Sequence, residues 1–499
     1  MRRMQQVSCV VNVAILIGYV GVKRVKTDEN RQDIVAGYKD IYARYRQQIT
    51  SGVLRPGDRV PAIRVLASEL KVARKTVEAA YEILIGEGYL VSQGAKGTRV
   101  NPDLAVPAPS PLTAQPPQDE ATSPFVAPRD SRGALRLGIP SLDAFPLKKW
   151  LLISGKVARS LRPEEMLVPP VLGYQPLRKA IASYLALSRG VNCEAEQIFI
   201  TNGYRTNLRL ILSVLSQPDD KVVFEDPGYF FGVQLLSRIV PNLHYAPVDR
   251  QGVDVDHFLQ QHRDARFLII TPTHHSPLAV TLSLPRKQQL LDWAQAHNGW
   301  IIEDDYDGEF HYTRKVIPAM KSLDVHDRVI YIGTFSKTVM PGTRIGYMVM
   351  PKATIERFRE AGELLESGLP ILPQKIVERF LSEGHFYRHI KKMRALYQQR
   401  RSMMLEALTH CFPDLFEFEL SDGGMHIVAF LRRGTQDRAL ADIWQAHQLR
   451  VLPLSGWYIQ TQKRYGLIIG YTNIRSRAEA EQLLRSVAEQ TYALLHSPS

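Results

Sequence analysis

A proline-rich stretch at residues 102–133 constrains the fold of this 499-residue chain more than any other feature. Its eight prolines are Pro102, Pro107, Pro109, Pro111, Pro116, Pro117, Pro124 and Pro128. Proline fixes φ and has no amide hydrogen, so such a stretch favours an extended spacer over a helix or a strand. About a hundred residues precede the spacer and more than 360 follow it, which predicts at least two folded domains.

The N-terminal residues 1–33 match neither a membrane span nor a secretory signal. Two arginines precede an apolar run that begins at Val7 and is interrupted by polar residues. The run is short for a transmembrane helix, and no clear small-residue cleavage site follows it. We therefore interpret residues 1–33 as an extension outside the folded domains, which we place at residues 34–101 and 134–499. We expect no membrane association.

The overall composition restricts the possible functions only weakly. The three cysteines, Cys9, Cys193 and Cys411, are far apart and form no CxxC pair, which predicts neither a disulfide framework nor a metal site. This pattern favours a reducing, cytoplasmic setting. The formal net charge of +13 favours an anionic partner, although a solvated basic surface would account for the same excess.

The segment before the spacer has the pattern of short helices followed by a hairpin. Helical spacing over residues 39–51 ends at Gly52. Apolar residues then recur at helical spacing in two further stretches. These residues are Ile63, Leu66, Ala67 and Leu70, then Val77, Ala80, Tyr81, Leu84 and Ile85. Residues 89–91 and 98–100 are predicted as strands around a glycine-containing tip at residues 94–97.

This order of elements is typical of a winged helix-turn-helix. In that motif the second helix enters the major groove with its N-terminal residues nearest the bases, and here these include Arg74, Lys75 and Thr76. Arginine can read guanine edges, while lysine and threonine suit phosphates. Residues 37–100 hold 11 basic and 6 acidic residues. A small helical domain with a solvated basic face would give the same pattern, so spacing alone leaves both interpretations open.

The same segment resembles the GntR-type winged-helix signature. The matching stretches are residues 49–64, 66–67, 74–77, 80–81, 87–90 and 97–98. The resemblance implies a DNA-binding domain whose contacts are Arg64, Arg74, Thr76 and the wing around Lys96. Ala62 and Ala73 stand where the signature usually has serines.

After the spacer, continuous apolar runs alternate with helical stretches, as expected for buried parallel strands of an α/β fold. The runs are residues 222–224, 267–270, 300–302 and 329–332. Polar loops that contain glycine or proline, or acidic residues, follow them at residues 225–229, 271–275, 303–306 and 333–337. Ligands bind at the carboxyl ends of the strands in such sheets. These loops therefore predict a ligand site.

The loops carry the residue types that pyridoxal 5'-phosphate requires. Lys337 is the candidate for the Schiff base, and Asp304 for the acid that faces the pyridinium nitrogen. Tyr306 would donate to the phenolic oxygen, and Tyr229 would lie over the ring. The candidates for the phosphate cradle are Thr334, Ser336, Arg344 and the helix start at Gly203, Tyr204 and Arg205. Taken singly, each candidate also has an ordinary structural explanation, such as a surface charge or a core tyrosine.

In their joint order these residues resemble the fold-type I aminotransferases, and more closely the aminotransferase-like domain of MocR/GabR regulators, among which are pyridoxine-synthesis regulators. The resemblance runs from about Leu135 to the C-terminus. Its motifs are residues 225–229, 271–272, 300–310, 331–337, 341–342, 344 and 346–347. It implies a large α/β domain with a small C-terminal α+β subdomain. It further implies pyridoxal phosphate as cofactor, promoter DNA and a small effector as partners, and a head-to-tail homodimer.

Three hypotheses follow for the large domain. A cofactor-bound regulator would sense an amine, an amino acid or a vitamin B6 compound through Lys337. An aminotransferase would need an arginine for the substrate carboxylate, but residues 467–471 hold none, with Arg464 and Arg475 nearby. A scaffold without cofactor would not need Lys337 or Asp304. We therefore favour a transcriptional regulator over an enzyme, with a partial half-reaction left open.

Overall fold

The computed structural model describes residues 37–94, 97–104, 133–312, 317–366, 368–419 and 421–496. The chain divides into two compact units, Met1–Ala121 and Thr122–Ser499. The predicted extension at residues 1–33, residues 105–132 of the predicted spacer and the predicted contact Lys96 lie outside the described residues. Within the described ranges, none of the helices has the length and hydropathy needed to cross a membrane.

The first unit has three helices and a hairpin. Its elements are α1 (Tyr38–Thr50), α2 (Ile63–Glu69), α3 (Arg74–Gly86), β1 (Leu90–Ser92) and β2 (Thr98–Val100). The strands are antiparallel, with Leu90 opposite Val100. The apolar positions predicted for α3 face the core, except Ile85, which is 37% exposed. The prediction that Ile85 lies on the buried face was wrong. Successive residues of a helix are rotated by about 100° around its axis, so Ile85 points away from the face that Leu84 buries.

The second unit contains an eight-stranded sheet in the order β3-β10-β9-β8-β7-β4-β5-β6. Its strands are β3 (Ile198–Thr201), β4 (Val222–Asp226), β5 (Leu243–Asp249), β6 (Gly252–Val253), β7 (Phe267–Ile270), β8 (Trp300–Asp305), β9 (Val329–Thr334) and β10 (Gly346–Val349). The four runs predicted as parallel strands are β4, β7, β8 and β9, and each pairs with its neighbour in parallel. β10 runs antiparallel to β3 and β9.

Helices cover this sheet, and a separate core lies on each side of it. They are α4 (Leu147–Arg159), α5 (Gln175–Arg189), α6 (Tyr204–Leu215), α7 (Phe230–Ile239), α8 (Val255–Gln261), α9 (Leu284–Ala296), α10 (Ile355–Leu365), α11 (Ile371–Ser382) and α12 (His385–Cys411). The central strands are buried along their length, which explains their continuous apolar runs.

A smaller α+β layer completes the unit, as the resemblance implies. Its strands β11 (Phe416–Phe418), β12 (His426–Leu431), β13 (Leu452–Pro453) and β14 (Gly466–Gly470) pair in the order β11-β12-β14-β13. They pack with α13 (Asp437–Ala446) and α14 (Arg477–His496). Trp444 anchors this layer, because its ring stacks on Phe412 and its Nε1 donates to Thr491 Oγ1 at 3.0 Å.

Three of the predicted strands extend further than the apolar runs indicate. β4 continues to Asp226, β8 to Asp305 and β9 to Thr334. The polar residues at these ends were expected in loops, but they take part in the strand ladder, where Asp304 pairs with Ile332. Asp304 and Thr334 are therefore held by the sheet rather than by a loop.

Candidate cofactor site

One cavity of about 280 Å³ lies beyond the carboxyl ends of the central strands. All ten residues predicted to contact a cofactor line it: Gly203, Tyr204, Arg205, Tyr229, Asp304, Tyr306, Thr334, Ser336, Lys337 and Arg344. They come from four strand ends and from the segment around Arg344, separated by up to about 140 residues in sequence. The fold thus brings the whole predicted set to one place.

Lys337 follows β9 and enters the cavity on a short segment that is anchored by buried Phe335 and Val339. Its Nζ donates to the Gly138 carbonyl at 2.8 Å. A Cβ at residue 138 would lie 2.5 Å from that Nζ, and φ there is +67°, so the position requires glycine. Burial lowers the pKa of the Lys337 amine, which increases its neutral, nucleophilic fraction.

The three consecutive acids at the end of β8 point in alternating directions. Asp304 lines the cavity. Asp305 accepts from Arg189 Nε at 2.6 Å and from Tyr331 Oη at 2.7 Å. Glu303 accepts two backbone amide hydrogens at 2.7 Å, from the start of the 3-10 turn Met320–Leu323. Successive strand residues face opposite sides of a sheet, so only the middle acid is available to a ligand.

The Asp304 carboxylate suits a positively charged partner. Burial raises its pKa well above the usual range, and nearby Asp305 and Asp307 add to the effect. Its side chain is buried and lines the cavity, so a ligand bound there can pair with it. A protonated pyridine nitrogen would supply both a donor and a charge. The residue therefore fits the ring of pyridoxal phosphate.

A second group of lining residues suits a phosphate. α6 begins at Tyr204, after Gly203 with φ +111°, so the free amides of its first turn and its positive dipole end face the cavity. Thr334, Ser336, Arg205 and Arg344 add hydroxyls and cations. This donor set fits a dianion better than any neutral group.

Two tyrosines also line the cavity. Tyr229 precedes α7. The centre of its ring lies 5.4 Å from that of Tyr204, which it meets edge-on, and 6.4 Å from that of Trp457. Tyr306 lies at the end of β8, and its hydroxyl is 3.1 Å from His274 Nδ1. Burial raises the pKa of the Tyr306 hydroxyl well above its ordinary value, and Asp307 and Asp304 add to the effect, so it remains a neutral donor.

The cavity is also lined by seven residues that were not predicted from the sequence: Leu137, Gly138, Phe231, Ser276, Ile332, Met425 and His426. Ser276 directly precedes Pro277 in the loop after β7, and its place beyond a strand end was the available signal. Burial lowers the pKa of His426 to about 4, so its imidazole is neutral near pH 7. Met425 and His426, which come from the small α+β layer, belong to no sequence motif that predicts a cofactor contact.

The two arginines near the expected carboxylate clamp have other contacts. Arg464 donates two hydrogen bonds to Glu419, at 3.1 and 2.8 Å, and its guanidinium lies 3.6 Å from the centre of the Phe430 ring. Arg475 is exposed, and its backbone amide donates to Glu479. Neither residue belongs to the cavity lining.

In the first unit, the candidate DNA contacts gather around the start of α3. Arg74 is the first residue of α3, and both it and Lys75 are exposed. Thr76 is half-buried, and Arg64 is exposed in α2. No side chain caps α3 at Ala73, in keeping with the absence of the usual serine.

A buried acid behind the cavity makes stability depend on pH. Burial raises the pKa of Glu225 to about 8, although Thr271 donates to it from N and Oγ1, both at 2.8 Å. The folded state then holds a proton that the unfolded chain releases near pH 4.5, so this contribution is lost as pH rises through about 8. We expect Glu225→Gln to reduce the fall in melting temperature between about pH 5 and pH 9 by a few degrees.

Differential scanning calorimetry of both proteins over this pH range checks the prediction. Glu194→Gln, at an exposed acid that pairs with Lys352, is the matched control and should retain the wild-type slope. Equal slopes for Glu225→Gln and the wild type would contradict a raised pKa at Glu225.

The two units define the class of this protein, a winged helix-turn-helix joined to an aminotransferase-fold domain. The model of the bacterial regulatory proteins of the gntR family matches residues 37–100. The model of aminotransferase class I and II, a family that binds pyridoxal phosphate, matches residues 141–467. The chain belongs to the MocR-type transcriptional regulators, as the following relatives indicate.

The probable rhizopine catabolism regulatory protein MocR of Rhizobium meliloti is 31% identical to this chain, covering 91% of it and 93% of the relative. The pyridoxine biosynthesis transcriptional regulator PdxR of Corynebacterium glutamicum is 30% identical, covering 85% and 90%. Among solved structures, kynurenine aminotransferase of Pyrococcus horikoshii, in complex with PMP, superimposes with a TM-score of 0.67 at 25% identity. That similarity covers 74% of this chain and 93% of the enzyme. The predicted family and fold are confirmed.

Proposed function

We propose that this protein regulates transcription by binding promoter DNA through its winged helix and sensing a small molecule through pyridoxal phosphate on Lys337. The observation that carries the proposal is the cavity itself. It combines a buried amine, a buried acid and a helix start with two arginines. A scaffold domain has no need for this combination, because each buried charge costs stability unless a ligand compensates it.

In this proposal Lys337 holds the cofactor as a Schiff base and Asp304 pairs with the ring nitrogen. The hydroxyls of Thr334 and Ser336, with Arg344 and the first amides of α6, hold the phosphate. Tyr229 covers the ring, and Tyr306 donates to its phenolic oxygen. When bound, the cofactor supplies an electrophilic imine carbon that can exchange Lys337 for the amine of an effector.

We place regulation ahead of turnover because the region expected to clamp a substrate carboxylate has another role. Tyr471 is fully buried, and its hydroxyl lies 2.6 Å from that of Tyr312. Arg464 is held by Glu419 outside the cavity. An enzyme without a fixed carboxylate clamp loses substrate orientation, which is a large contribution to rate.

The effector would change DNA binding by favouring one arrangement of the protein over another. Amines, amino acids and vitamin B6 compounds all carry groups that react with, or compete for, the cofactor site. The relatives are named for different pathways, rhizopine catabolism and pyridoxine biosynthesis, so the proposal includes all three classes.

We further propose a head-to-tail homodimer. Several large apolar side chains of the second unit are exposed in the single chain: Leu147, Leu151, Leu152, Met166, Leu167 and Val168. Leu167 is 73% and Val168 is 84% exposed. Apolar side chains in such number on one region are typical of a surface that a partner covers. Sedimentation equilibrium of the full chain tests this, and a monomer at micromolar concentration would contradict it.

A visible absorption spectrum of the purified protein tests the proposal most directly. We expect a yellow band, its loss on borohydride reduction, and a reduced adduct that peptide mapping places on Lys337. A protein that stays colourless after addition of pyridoxal phosphate would contradict the cofactor-sensing mechanism.

A further inference from the structure

His274 occupies the boundary between the cavity and the small α+β layer. Its side chain is 6% exposed. Its Nδ1 lies 3.1 Å from Tyr306 Oη and 3.1 Å from Asp307 Oδ2. One ring nitrogen thus faces two partners, and it can carry only one hydrogen.

The position of that hydrogen decides where the Tyr306 hydroxyl points. If Nδ1 carries it, the imidazole donates to Tyr306 Oη beside the Asp307 carboxylate, and Tyr306 keeps its own hydrogen for another acceptor such as a group in the cavity. If Nδ1 is bare, Tyr306 donates to it and its hydrogen points away from the cavity. The two arrangements present a ligand with opposite hydrogen-bonding groups.

Asp307 favours the first arrangement. Its side chain is 1% exposed, and neither of its oxygens has a hydrogen-bond donor of normal geometry among the described residues. A bare Nδ1 would leave this buried carboxylate facing a lone pair, which is strongly unfavourable. A hydrogen on Nδ1 replaces this repulsion with electrostatic attraction across the 3.1 Å contact, which does not have the geometry of a hydrogen bond.

The other side of the ring is fixed by the small layer. Nε2 lies 3.5 Å from Ser421 Oγ, at the limit of a hydrogen bond. A Cβ at residue 424 would lie 2.1 Å from His274 Cε1, so the ring packs directly against the backbone of Gly424. The Gly424 amide in turn donates to the Phe310 carbonyl at 2.8 Å. His274 therefore cannot turn without displacing the segment that precedes β12.

We propose that His274, with its tautomer fixed by Asp307, is the positioning residue that directs the Tyr306 hydroxyl hydrogen into the cavity. The inference rests on the proposed function, because the group that receives this hydrogen is the phenolic oxygen of pyridoxal phosphate. It assigns a role to a histidine in the loop that follows β7.

The other titratable groups around His274 do not alter this assignment. His275 and His426 are buried, and burial lowers the pKa of each, to about 3 and about 4, so both are neutral. The Tyr306 hydroxyl is also within hydrogen-bonding reach of Ser276 and Asp307, so these two groups compete with a ligand in the cavity for its hydrogen. Asp422, across the small space beside His274, is exposed to solvent. Lys337 and Asp307 attract each other electrostatically from the cavity side.

Two amide variants distinguish the role of His274 Nδ1 from that of Nε2. The amide nitrogen of His274→Asn replaces Nδ1, whereas that of His274→Gln reaches the position of Nε2. The measurement is the pH midpoint of the visible absorption change of the bound cofactor. A hydroxyl that donates to the phenolic oxygen stabilises its negative charge, so the loss of this donation raises the midpoint.

We expect His274→Gln to raise the midpoint by about one pH unit, a roughly ten-fold change in proton affinity. His274→Asn should stay close to the wild type. Tyr306→Phe should raise the midpoint by at least as much, and adding His274→Gln to it should change little more, because both act through the same hydroxyl. His262→Gln, at a histidine that contacts the Tyr245 carbonyl, controls for unspecific effects.

Equal midpoints for the asparagine and glutamine variants would overturn the inference, as would a full additional shift in the Tyr306→Phe background. Thermal melting of the cofactor-free proteins establishes that each variant folds. A wild-type protein that never develops a visible band would contradict the proposed function itself. A coloured protein whose pH midpoint is unchanged by the His274 substitutions would contradict only the role of His274.

Discussion

Lys337→Ala is expected to lose all covalent attachment of pyridoxal phosphate while the winged-helix unit retains its DNA binding. The Lys337 amine lines the cavity, and alanine cannot form a Schiff base. The visible band should disappear, and borohydride should leave no adduct on the chain. Effector-dependent changes in DNA binding should disappear with it, because the effector would act through the cofactor.

The matched control for this variant is Lys352→Ala. Lys352 pairs with Glu194 on the surface and lies outside the cavity lining, so its loss should leave the band unchanged. Mass spectrometry after borohydride treatment distinguishes the two. Trapping of the cofactor on another lysine in Lys337→Ala, or an unchanged effector response, would refute the assignment.

Arg74→Ala is expected to have the largest effect on DNA binding, roughly 5- to 150-fold in affinity, which corresponds to about 1–3 kcal/mol. Arg74 is exposed at the first position of α3, where a recognition helix meets base edges. The measurement uses duplexes selected from a random pool by the wild-type protein. A loss of discrimination between selected and unselected duplexes should accompany the loss of affinity.

Two further variants make this test specific. Lys75→Ala should weaken binding to all duplexes alike and reduce the slope of log K against log salt concentration by about one, as expected for one phosphate contact. Lys39→Ala, at an exposed lysine of α1, is the control and should change affinity little. If Arg74→Ala and Lys39→Ala bind alike, α3 is not the recognition helix.

The positions of the buried strands could be predicted because each one is a continuous apolar run. Their ends could not, since the final residues of β4, β8 and β9 are polar and look like loop residues in sequence. Asp304 stands in β8 because its backbone pairs with Ile332 of β9, which no local pattern reveals. Tertiary pairing, rather than propensity, sets these ends.

The cavity was predictable where its residues lie in motifs at strand ends, as Lys337 and Asp304 do. Met425 and His426 were missed because they begin a strand of a different layer, more than 80 residues after Lys337. Nothing in their local sequence indicates a site. Only the packing of the small layer against the loop of His274 brings them to the cavity.

The alternation of the three acids in β8 also limits how the chain can change in length. An insertion or deletion of one residue ahead of Asp304 would still leave a carboxylate in the cavity, supplied by Glu303 or Asp305. A one-residue insertion would then leave the two amides that donate to Glu303 facing Ile302 without an acceptor, and a one-residue deletion would place Tyr306 opposite Arg189 in place of an acid. Glu303 and Asp305 therefore cannot replace Asp304 without the loss of another contact. Among descendants of this chain, β8 should vary in sequence but never in length.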